Sequence, residues 1–147
     1  GSLGTVMRES AQAALSFVRS NAASLKIPED FFEKHDIHIH VPAGAIPKDG
    51  PSAGATIAVA LISLLKEKPA LRNVAITGEL TLSGRILPVG GVKEKLLAAK
   101  RAGIKTVIMP GMNKVDIDNL PDEVRADIDI RLADDMEGVI KEVLERE

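Results

Sequence analysis

The chain has no cysteine, no tryptophan and no tyrosine, and only three phenylalanines among its 147 residues. Without cysteine there is no disulfide framework, no thiolate nucleophile and no cysteine-ligated metal site. With aromatic residues at 2% there is no platform for stacking bases, which counts against single-stranded nucleic acid as a partner. Charge of one sign is lacking too. The 19 basic residues are scattered among 21 acidic ones, so no cationic field for nucleic acid develops. The longest apolar run, Ile57 to Leu65, is interrupted only by Ser63 and falls short of the roughly 20 residues that span a bilayer. No signal-peptide layout is present at the N-terminus.

What remains is the material of one domain, covering residues 1–147. At 45% hydrophobic composition the chain can bury a single aliphatic core. Gly1 and Ser2 read as an expression scar, and the missing initiator methionine reads as a domain excised from a longer protein. The patterning predicts a mixed α/β (α+β) fold, a single compact domain of short strands, a hairpin and several helices. Met7, Ala11, Ala14, Val18, Ala22 and Leu25 recur at helical spacing and predict a first helix from Thr5 to about Leu25, followed by a short one through Phe31 and Phe32. Asp36 to Val41 alternates, with Ile37, Ile39 and Val41 on one face and His38 and His40 on the other, and predicts a strand. Further strands are expected at Asn73 to Gly78, Lys105 to Met109 and Asp127 to Leu132, with a hairpin turning at Ser83 and Gly84. Helices are expected from Val92 to Ala102, from Pro121, and from about Asp135 to Arg146.

The stretch Pro47 to Ser63 organises the rest. A breaker-rich loop from Pro42 to Pro51 runs into Ser52, where Ala53, Gly54 and Ala55 open a helix to about Lys66 that is apolar or small on every face. A serine at a helix start is commonly a cap, which needs no catalysis. The same helix end also offers free amides and a positive dipole end able to hold an oxyanion in front of a serine nucleophile. Such a serine needs a base, and the candidates are the histidines or a lysine.

On a helical wheel Val92, Leu96, Ala99 and Ala102 share one arc, and Lys95 lies in it, while Lys93 and Lys100 fall on the opposite side. A lysine on an apolar arc either snorkels or pairs with a carboxylate, here Glu79 or Glu94, or serves as a general base. General-base lysines must be neutral, and desolvation is what brings an amine from about 10.4 towards 7 or 8. His38 and His40 stay open as bases on position alone. As metal ligands they have no carboxylate at a recognisable spacing, and a hydrogen-bonded strand pair is the plainer expectation for them.

Pro47-Lys48-Asp49-Gly50-Pro51-Ser52-Ala53-Gly54 resembles the catalytic-serine signature of the A-type Lon proteases. The similarity extends through Val6 to Ala11, Ile37 to Pro42, Thr77-Gly78-Glu79 and Leu87 to Lys95. The resemblance implies a Lon proteolytic-domain fold with Ser52 as nucleophile and Lys95 as the catalytic lysine. It further implies Thr77 as a neighbour positioning the lysine and Asp49 as a residue influencing access or charge. Lon proteases are ATP-driven, usually hexameric enzymes that degrade unfolded or regulatory proteins in the bacterial cytoplasm or the mitochondrial matrix. No G-x-x-x-x-G-K-[ST] phosphate loop occurs in this chain, so ATP and magnesium are implied only for an ATPase domain that it lacks. The domain itself is expected to need no cofactor or metal and to meet neither membrane nor nucleic acid. Two other readings stay open: a kinase-like phosphate-binding domain, and a non-catalytic assembly module in which Ser52 caps its helix and Lys95 pairs with a carboxylate.

Overall fold

The computed structural model describes residues 1–144. Helix α1 (Thr5–Ser20) buries Ser10, Ala14, Phe17 and Val18, one stripe at spacings of four, three and one, against helix α3 (Gly54–Lys66). It ends earlier than the apolar spacing predicts. The Asn21 side chain donates to Phe17 O at 2.8 Å and Ser24 Oγ to Asn21 O at 3.0 Å, so local side-chain bonds compete with helix continuation. A one-turn helix α2 (Phe31–Lys34) follows.

The expected strand at Asp36 to Val41 does not form. Its alternation is realised, since Ile37, Ile39 and Val41 are half-buried while His38 and His40 are exposed, yet no strand among the described residues runs alongside to complete a ladder. Alternation encodes which face is buried and leaves the partner unspecified. The two imidazoles stand with ring centroids 6.4 Å apart instead of being fixed by a sheet.

Three parallel strands form the main sheet in the order β1 (Val74–Ile76), β4 (Thr106–Pro110), β5 (Asp129–Ala133), and β2 (Glu79–Leu80) pairs with β3 (Ile86–Leu87) as the hairpin. Central β4 sorts its side chains by the two-residue period of a strand. Ile108 packs with α1, α3 and α7 (Met136–Val143) on one face, while Val107 and Met109 pack with α4 (Val92–Arg101) and the short helices α5 (Lys114–Asp118) and α6 (Asp122–Arg125) on the other. Helices on both faces are what a parallel sheet requires. Pro121 precedes α6, and Asp135 caps α7 by accepting from Gly138 N at 2.8 Å. Glu145 and Arg146, the last residues of the expected closing helix, lie outside the described residues.

Helix α3 is less enclosed than its sequence predicts. Thr56, Ala60 and Leu64 form an exposed stripe, with Leu64 69% exposed. Its small first turn does admit another backbone, because a Cβ on Gly54 would stand 3.1 Å from the Leu80 amide nitrogen.

The hairpin turn is held at Gly84, whose φ is +88° and whose carbonyl accepts from Met136 N at 2.8 Å. A Cβ there would lie 2.6 Å from the ring of buried Phe17. Gly84→Ala combines a left-handed backbone with that overlap and is expected to cost about 2 kcal/mol, read as a lower midpoint in urea with unchanged slope.

Candidate active site

The start of α3 is docked on the end of β1 through main-chain bonds. Gly78 N donates to Ser52 O at 3.0 Å, and Ala55 N donates to Gly78 O at 3.1 Å. Thr56 Oγ1 adds a bond to Ile76 O at 2.8 Å. These fix Ser52 beside Thr77.

Ser52 does not cap the helix. The N-cap residue is Ala53, and no side-chain cap bond is made there. The hydroxyl instead faces α4, where Lys95 Nζ donates to Ser52 Oγ at 3.5 Å and to Gly90 O at 3.1 Å. At 3.5 Å the first contact sits at the outer limit of hydrogen bonding, as catalytic bonds often do before substrate binds. No ion pair joins Lys95 to Glu79 or Glu94 among the described residues, so the carboxylate-pairing expectation fails. Lys100, on the opposite side of the wheel, reaches the Glu123 carbonyl.

Ser52, Thr77 and Lys95 line one cavity of about 430 Å³. Its remaining wall is apolar, with Ile76, Ala98 and Ile104 prominent. Thr77 is 9% exposed and its Oγ1 has no hydrogen-bond partner, a buried hydroxyl left free in the same cavity. Neither His38 nor His40 lines that cavity. Among the described residues no group of three or more His, Cys, Asp or Glu side chains is arranged to hold a metal ion.

The donors at the helix start differ in detail from expectation. Gly54 N is engaged by Pro51 O at 3.4 Å and Ala55 N by Gly78 O at 3.1 Å, whereas the amides of Ser52 and Ala53 have no acceptor among the described residues. The unspent donors therefore belong to Ser52 itself and its neighbour.

Asp49 points the other way. Its Oδ1 accepts from Met7 N and from Gly50 N, both at 2.9 Å, so it supplies α1 with a carboxylate cap across 42 positions of chain. Asp49 is not part of the cavity wall.

Three residues that the motif reading did not single out also hold the site. Buried Ser10 has its one hydroxyl proton between Val6 O at 3.2 Å and Pro51 O at 3.4 Å, the latter next to the serine. Fully buried Asn113 accepts from Val89 N at 3.0 Å and donates to Val89 O at 2.9 Å, pinning the turn whose next carbonyl meets Lys95. Lys48 Nζ reaches three main-chain carbonyls. The only sequence signal for Asn113 was a polar residue between apolar segments, which is too common to select it.

The Met7 and Gly50 amides hold the Asp49 carboxyl below its ordinary value of 3.8. A carboxyl depressed by folding stabilises the fold above its unfolded pKa, and that contribution is lost as pH falls through the lower folded value. Asp49→Asn is therefore expected to be less stable than the parent at pH 7, with the gap closing below about pH 4. Urea midpoints measured from pH 7 to pH 3 check this; a gap that does not change with pH would assign the bond no charge dependence.

Residues 1–146 match the family described as Lon protease (S16) C-terminal proteolytic domain. A Lon protease of Koribacter versatilis is 70% identical over 118 residues, 80% of this chain and 14% of that protein. One from Syntrophus aciditrophicus is 58% identical over 146 residues, 99% of this chain and 18% of that protein. One from Escherichia coli K12 is 56% identical over 147 residues, 100% of this chain and 19% of that protein. The chain thus spans about a fifth or less of the length of these curated relatives, and by the family match over residues 1–146 it belongs to the Lon protease C-terminal proteolytic domain family.

Proposed function

We propose that this chain is the proteolytic domain of an ATP-dependent serine endopeptidase, with Ser52 and Lys95 as its catalytic dyad. The observation that carries the reading is the approach of Lys95 Nζ to Ser52 Oγ, 3.5 Å, in a half-buried apolar cavity. Family membership supports peptide hydrolysis as the reaction.

In the proposed cycle Lys95 acts in its neutral form. Its remaining N–H contact to Gly90 O aims the lone pair at Ser52, which donates its proton as Oγ bonds to the peptide carbonyl carbon. The carbonyl oxygen takes up the charge and is met by the free amides of Ser52 and Ala53, each such donor being worth roughly 3 to 4 kcal/mol in the transition state. The Lys95 ammonium protonates the departing amine and the C–N bond breaks. Water then attacks the acyl ester, gives its proton to Lys95, and the lysine returns a proton to Ser52 Oγ. Thr77 is the supporting residue inside the cavity. Asp49 supports from outside it, by tying the serine loop to α1.

The substrates proposed are unfolded or regulatory polypeptides. Unfolding of these polypeptides would be driven by ATP hydrolysis, with magnesium, in an ATPase domain elsewhere in a longer protein, which assembles as a hexameric ring in the bacterial cytoplasm or the mitochondrial matrix. This domain is proposed to work without a cofactor of its own.

Ser52→Ala is expected to reduce peptide cleavage to background, and Lys95→Met to lower kcat about 10²- to 10⁴-fold, with thermal stability close to the parent in both. Normal turnover in either variant of the assembled protein would refute the dyad. Thr77→Val is expected to separate two effects. Removing an unpaired buried hydroxyl should stabilise the fold by about 1 kcal/mol, while kcat falls for want of the group beside Lys95. A stability gain with unchanged kcat would remove Thr77 from the site.

A further inference from the structure

The breaker-rich loop that leads to Ser52 is closed by a single cation. Lys48 Nζ donates to Ala43 O and Ile46 O, both at 2.8 Å, and to Gly1 O at 3.0 Å. An ammonium has three N–H donors, and here each has a main-chain carbonyl. The same residue is held along its backbone, where Lys48 N donates to Ser2 O at 3.0 Å and Gly4 N donates to Lys48 O at 2.7 Å. Segment 1–4 and segment 43–48 are thereby tied together through one residue.

A second observation concerns the backbone of the loop. Ala43 has φ of +61°, a left-handed backbone that a residue with a Cβ adopts only when its surroundings impose it. Its carbonyl is one of the three that converge on Lys48, and it also accepts from Ile46 N at 3.0 Å. Beyond Lys48 further anchors lie on the way to the serine, at Asp49, Pro51 and Ser52. Asp49 binds the α1 amides, Ser10 binds Pro51 O and Gly78 binds Ser52 O.

We propose that Lys48 is a positioning residue for the nucleophile: its ammonium closes the loop on the Ala43 and Ile46 carbonyls while its main chain ties that loop to Gly4, and together these contacts set where Ser52 stands relative to Lys95. The inference rests on the dyad assignment above. The geometry favours lysine, since the Ala43 and Ile46 carbonyls converge on one nitrogen, which suits an ammonium better than the planar fork of a guanidinium.

The test compares Lys48→Met, Lys48→Arg, and Lys48→Cys before and after alkylation with 2-bromoethylamine, which rebuilds an ammonium at nearly lysine length. The unaltered chain has no cysteine to compete for the reagent. With a fluorogenic peptide substrate, Lys48→Met is expected to lose about 100-fold in kcat, the scale of a displaced catalytic group, with KM within about twofold and the melting temperature nearly unchanged. Alkylated Lys48→Cys should recover most of that loss, and Lys48→Arg should not. Turnover of Lys48→Met within about twofold of the parent, a loss that merely follows melting temperature, or full recovery by arginine would each overturn the proposal. Should the unaltered protein cleave no better than Ser52→Ala, the dyad reading itself has failed. Hydrogen exchange at the Gly4 and Ile46 amides then decides the clamp alone: faster exchange in Lys48→Met supports it, and unchanged exchange overturns it.

Discussion

The site depends on the pair of main-chain hydrogen bonds at Gly78. A helix start carries amides that must find acceptors or water, and a strand end carries its own unpaired groups. Here the two ends satisfy one another, with Gly78 N on Ser52 O at 3.0 Å and Ala55 N on Gly78 O at 3.1 Å. The docking sets α3 against the end of β1, brings Thr77 and Ser52 side by side, and leaves two amides unspent. Gly54 permits the close approach, because Leu80 occupies the space a side chain would need.

Around that junction the sheet acts as a divider. Ile108 faces the core that contains α3 and therefore supports the serine, while Val107 and Met109 face the core that contains α4 and therefore support the lysine. The two catalytic candidates thus belong to different packing layers and meet only where β1 ends. A change in either core moves one partner with respect to the other, so packing precision translates into catalytic geometry.

Much of this was legible in the residues. Periodicity placed α3 and α4 to within a few positions, and the wheel put Lys95 on the arc with Val92, Leu96, Ala99 and Ala102; the structure buries the first three, exposes Ala102 and leaves Lys95 at the cavity edge. The motif around Ser52 carried the family. What stayed hidden were groups whose meaning lies in distant main-chain atoms. Asp49 finds its acceptor role at Met7, Lys48 finds Gly1, and Asn113 finds Val89. Backbone carbonyls and amides leave no trace in composition or spacing, so no pattern could announce them. The alternation at Asp36 to Val41 misled for a related reason, since a period of two records burial and says nothing about whether a neighbouring strand exists.

Asn113 turns its side-chain amide to the Val89 peptide and matches it donor for acceptor and acceptor for donor, as a neighbouring strand would. One side chain thereby substitutes for a missing strand at the spot where the chain bends into Gly90 and Gly91. The next carbonyl along, Gly90 O, is the one that accepts from Lys95 Nζ, so Asn113 bears on the lysine through the main chain. A side chain at position 113 that could not pair with the Val89 peptide would therefore leave the turn that carries Gly90 O without this support.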